Sequence, residues 1–86
     1  MSDAPPHHWP LTTHLHDERL SERRIPEAVI RRAVKFPHRV QRRPDGTVHY
    51  IRAFREYGGR YLRVVANPQR RRLVSAFWDR RLGRRE

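Results

Sequence analysis

The chain has 86 residues, room for one domain with one modest core; apolar residues are 36% of it, and no apolar run approaches the ~20 residues that span a bilayer. Cysteine is absent, which excludes disulfides, thiolate metal sites and a Cys nucleophile. The net charge of +11 is unevenly spread: residues 1–30 hold three Arg against five acids (−2), and residues 31–86 hold 17 Lys plus Arg against four acids (+13). A basic field of this kind is the electrostatic footprint of a polyanion or acidic partner. Nineteen of the 20 basic side chains are Arg, the residue suited to bidentate phosphate contacts, although a GC-rich genome produces the same bias.

Residues 1–12 carry Pro5, Pro6 and Pro10 among His7, His8 and Trp9, with no period, and are expected to form a flexible or loosely docked arm. They lack the basic start and apolar centre of a signal peptide, so a cytoplasmic location is expected. His7 and His8 have no third ligand at zinc-site spacing, and no metal is expected. A single domain over residues 13–81 follows, then a basic tail, 82–86.

Thr12 or Thr13 can cap a first helix that runs to about Arg24, with Asp17 and Glu18 near its positive end. At 100° per residue, His16, Arg19 and Arg23 share the arc between Leu15 and Leu20, which is expected to face inward. A His and two Arg placed there need partners. Either they pair with Glu27 or Asp79 or snorkel to the edge, or they bind a ligand. Ile25-Pro26 breaks this helix and starts a second one. Its apolar arc of Val29, Ile30, Ala33, Val34 and Phe36 is expected in the core, and it ends before Pro37, with Lys35 off the arc.

Three turn signals, Pro44-Asp45-Gly46, Tyr57-Gly58-Gly59 and Asn67-Pro68-Gln69, divide the rest into strands near 38–43, 47–56, 60–67 and 71–79. Short sequential connections favour an antiparallel meander, so the expected class is α+β, with two N-terminal helices on one face of a four-stranded sheet. The last strand has apolar residues on both faces and is expected to be central or covered on both sides. His49, Arg52, Arg55 and Arg63 stand where a plain sheet carries Thr or Lys, which suggests a face built partly for an anion. Ser75 is either a tolerated small residue or a hydroxyl that orients a phosphate.

The order of His16, Arg19, Arg23 and Ile25, then Leu62-Arg63-Val64-Val65, then Val74-Ser75-Ala76-Phe77-Trp78-Asp79, resembles small bacterial domains of the RelE/BrnT-like toxin group, within the wider barnase, EndoU, colicin and RelE fold class. The likeness covers about residues 13–80; Arg24 stands where the pattern has Gly and Ser75 where it has Thr. It implies a bacterial endoribonuclease toxin that needs no metal or cofactor, with RNA as substrate and an acidic antitoxin protein as partner. The implied chemistry is attack of an RNA 2′-OH on the adjacent phosphorus. His16 or His49 would transfer protons. Arg19, Arg52 and Arg63 would hold the phosphate, with Ser75 beside them. Lys35, Arg55, Arg80 and Arg81 would line the nucleic-acid path, with Tyr61 or Tyr50 stacking a base. The alternative is a non-catalytic basic module that binds RNA, DNA or an acidic partner. Neither helix reads as a DNA recognition helix.

Overall fold

The computed structural model describes residues 4–21 and 24–82. A 3-10 turn, Pro6–His8, leads to helices α1 (Thr13–Ser21) and α2 (Glu27–Lys35); strands β1 (Arg39–Arg42), β2 (Val48–Phe54), β3 (Arg60–Asn67) and β4 (Arg72–Trp78) follow. The strands form one antiparallel sheet in the order β1-β2-β3-β4, so the expected α+β meander is the observed fold. No helix among the described residues is long and apolar enough to cross a membrane.

Local chemistry explains the elements. The Thr12 hydroxyl accepts the Leu15 N–H at 3.1 Å and its carbonyl accepts the His16 N–H at 2.9 Å, which starts α1. In α2, Val29, Ile30, Ala33 and Val34 make one buried stripe. Asp45 takes the Thr47 N–H at 2.9 Å and the Thr47 hydroxyl at 2.6 Å, and Gly46 adopts φ +91°, closing the β1–β2 hairpin. Gly58 and Gly59, at φ +72° and +77°, close the next one. The core lies between the helices and one face of the sheet, where Leu15, Ile30 and Ala33 join Phe54, Leu62, Val64 and Trp78.

Several expectations are corrected. Residues 9–12 of the N-terminal arm are docked: Trp9 is in the core, Leu11 bridges Leu73 in parallel, and the Leu73 N–H and C=O bond Pro10 O and Thr12 N, each at 2.9 Å. Arg31 holds the arm from α2, donating through Nη1 to His7 O at 2.9 Å and Trp9 O at 2.8 Å. β4 is an edge strand, as the last strand of a meander must be, and α1 and the arm cover its edge. β2 stops at Phe54 because Arg55–Tyr57 form a 3-10 turn into Gly58. Phe36 is 53% exposed, since its backbone has already left helical geometry.

The inward arc of α1 is also different. Leu15 is buried, Glu18 and Arg19 are half-buried, and His16 and Leu20 are exposed. The cause is what α1 packs on. It lies along the polar edge of β4, where a carboxylate serves better than a second leucine. Arg23 lies outside the described residues.

Candidate functional site

Strand alternation and register place Gln41, His49, Ile51, Tyr61, Arg63 and Phe77 on the sheet face away from the core. No helix among the described residues packs on that face. Its centre is Arg63, opposite Ile51 of β2 and Phe77 of β4. Ile51 is fully buried, with Arg39 and Arg63 as cross-strand neighbours whose aliphatic stems can close over it.

The Arg63 guanidinium is held from three sides. Nε donates to Asp79 Oδ2 at 2.8 Å, and Nη1 meets Gln41 Oε1 at 3.1 Å and His49 Nδ1 at 2.9 Å. The ion pair is largely withdrawn from solvent, with side-chain exposures of 11% for Arg63 and 3% for Asp79. Asp79 Oδ1 also accepts the Arg81 N–H at 3.1 Å and lies 3.6 Å from Arg81 Nε. Nη2 of Arg63 makes no hydrogen bond among the described residues, and it is not sealed in the interior.

An arginine only donates, so His49 Nδ1 must be the accepting nitrogen, and the neutral ring carries its proton on Nε2. Burial, then the positive charges of Arg63 and Arg43, lower the His49 pKa below its ordinary 6.5, against a smaller opposing effect of Asp45. Burial alone would raise the Asp79 carboxyl. The hydrogen bonds from Arg63 and the Arg81 N–H, with the charges of both arginines, outweigh it and pull the pKa down.

Of the five residues expected to be catalytic, only His49 and Arg63 come together. His16 is exposed on α1. Arg19 donates through Nη1 to Ile25 O at 3.2 Å, while its own carbonyl accepts the Ile25 N–H at 2.8 Å, so it ties off the helix end. The Ser75 hydroxyl donates to Glu18 Oε1 at 2.7 Å, and that oxygen also accepts the Ala76 N–H at 3.1 Å; Ser75 fastens α1 to the sheet edge.

The residues expected on the nucleic-acid path split into two groups. Tyr61 is on the open face, and its carbonyl accepts the Asp79 N–H at 2.8 Å, which sets exposed Arg80 and Arg81 nearby. Arg52 and Arg55 lie at the far end of β2. The Lys35 ammonium sits 5.2 Å from the Phe36 ring centroid. Tyr50 is on the helix side against the core, where burial raises its pKa, so it is not a stacking platform on the open face.

Two members of the cluster were not singled out from sequence. Gln41 carried a signal: a turn centred on Asp45 sets position 41 opposite 49. Asp79 was visible only as one possible partner for an arginine.

Comparison of the chain with protein-family models, with curated proteins and with solved structures finds no match.

Proposed function

We propose that this chain is a cytoplasmic, toxin-type endoribonuclease that cuts RNA on the open face of its sheet without a metal ion, and that an acidic antitoxin protein masks its basic half. The observation that supports it most is the Arg63–His49 pair at 2.9 Å on a sheet face that no helix among the described residues covers. A guanidinium anchored by Asp79 and Gln41 is already oriented when a phosphate arrives, which is how electrostatic stabilisation becomes large. The likeness to RelE/BrnT-type domains points the same way.

In this mechanism a phosphate takes over Nη1 of Arg63 and occupies Nη2. That exchange frees the Nδ1 lone pair of His49, which takes the 2′-OH proton. The 2′-oxygen bonds to phosphorus, the bond from phosphorus to the 5′-oxygen breaks, and the leaving oxygen takes a proton from solvent. The products are a 2′,3′-cyclic phosphate and a 5′-hydroxyl end. Tyr61 offers a ring for base stacking beside the reacting phosphate.

Incubating the folded chain with single-stranded RNA in excess chelator tests this. Cyclic-phosphate ends should form. Arg63→Lys and His49→Ala should each cut the rate by ~100-fold or more, and His16→Ala should leave it unchanged.

Binding without cleavage is favoured by one specific observation: in the free protein Nδ1 of His49 already accepts from Arg63. RNA that is bound but intact, with affinity falling steeply as salt rises, would identify a binding module. RNA neither bound nor cut would sink both versions.

A further inference from the structure

β2 runs further than β1. Arg39 pairs with Ile51, and beyond that point the last residues of β2 have no strand on their outer side. Side chains and loop atoms take over. His38 Nδ1 accepts the Ala53 N–H at 3.2 Å, and Arg52 Nη1 donates to Phe36 O at 2.6 Å. These groups border a cleft of about 500 Å³ lined by Arg32, His38, Arg52, Phe54, Arg55 and Glu56, with Ala53 and Gly59.

Three arginines meet one carboxylate in this cleft. Glu56 is already paired with Arg32. The Arg32 and Arg52 guanidinium carbons lie 4.9 Å and 5.6 Å from the centroid of one ring, Phe54, so two cations are gathered on a single apolar support. Arg52 Nε is buried and has no hydrogen-bond partner among the described residues. A buried N–H without a partner costs stability, and an anion in the cleft would offset both that and the repulsion between the guanidinium groups. His38 adds a donor: with Nδ1 accepting, its neutral ring carries the proton on Nε2.

We propose that this cleft is a second phosphate site, holding a backbone phosphate of the same RNA strand that lies on Arg63. This rests on the RNA-directed function above. Arg52 and Phe54 alternate with Ile51 and Ala53, so their side chains leave β2 on the helix side, and a strand held on Arg63 reaches the cleft by passing over the free edge of β2 beside Ala53. The cleft fixes where the strand runs, towards the open end of β2 rather than across β4.

The test is an NMR titration of the whole chain with inorganic phosphate and, separately, with a short oligoribonucleotide lacking terminal phosphates. Both should shift the Ala53 amide, the Arg52 Nε–H and the His38 ring, and the oligonucleotide should compete with inorganic phosphate there. Arg52→Gln should abolish these shifts. Arg55→Gln, at an exposed position, keeps the test valid if the Arg52 variant unfolds. It should lower the magnitude of the log–log salt slope of oligonucleotide binding by about 0.7. Oligonucleotide binding with unchanged slope in Arg55→Gln and no shift at Ala53 would overturn the second site while leaving RNA binding intact. Shifts from inorganic phosphate, with no oligonucleotide binding at all, would establish the anion site and overturn the RNA-directed function.

Discussion

The carboxylate of Glu18 on α1 accepts the main-chain N–H of Ala76 on β4 at 3.1 Å. A helical side chain thus supplies what a fifth strand would supply to this sheet edge. Glu18→Ala leaves a strand N–H and the Ser75 hydroxyl without their acceptor. The expected loss is ~1–3 kcal/mol by urea unfolding, with Ser75→Ala costing less because the Ala76 bond survives. Equal stability of the Glu18 variant and the parent would show that the Glu18 bonds do not hold α1 to the sheet.

Arg63 is a structural member of the fold as well as the proposed phosphate ligand. Breaking its buried pair from one side, with Arg63→Met or Asp79→Leu, should destabilise by ~3–5 kcal/mol, because one charge is left without its partner. The double variant Arg63→Met with Asp79→Leu should recover much of that loss. Additive losses in the double-mutant cycle would mean that the 2.8 Å contact carries no coupling.

The sign of the pH dependence follows from both lowered pKa values. His49 titrates below its ordinary 6.5 when folded, so between those two values the unfolded chain binds more protons. Its contribution is present above pH 6.5 and is lost as pH falls towards the folded value. Asp79, lowered from 3.8, adds a second loss below that pH. Thermal melts from pH 8 to pH 3 should show both declines, and His49→Gln should remove the first. An unchanged first decline in that variant would assign it to another histidine.

Trp9 belongs to the core despite its place among three prolines. It is 9% exposed, and its indole N–H donates to Ala4 O at 3.1 Å. Trp9→Ala should cost ~3–5 kcal/mol, the range for emptying a large aromatic site. Stability unaffected by this change would return the segment to the status of a loose arm.

The meander and its first two hairpin turns were legible because Asp45-Gly46 and Gly58-Gly59 are local signals, and α2 was legible because its apolar stripe is continuous. The face of α1 was not. A wheel assumes that the buried side is the apolar one, but α1 meets a row of strand N–H groups and turns Glu18 towards them. The Arg63 cluster was half legible. Alternation put Arg63 and His49 on one face, whereas Asp79 reaches Arg63 from 16 residues away through the β3–β4 register and a bulge at Val65 and Ala66, which no local pattern encodes. The docking of the arm was not legible because its partners, Leu73 and Val74, are some 60 residues distant, as in the Thr12–Val74 hydrogen bond with a separation of 62.

That last separation bears on how the molecule is made. On a ribosome the arm and α1 emerge first, yet the strand whose edge they cover ends only at Trp78. Until then Trp9, Leu11 and Leu15 have no β4 to dock on, while the β1–β2 and β2–β3 hairpins can close behind them. The arm and α1, translated before the strands, therefore complete the fold last, and a chain arrested before Trp78 exposes the Val64 and Ala66 edge of β3 in place of a finished sheet.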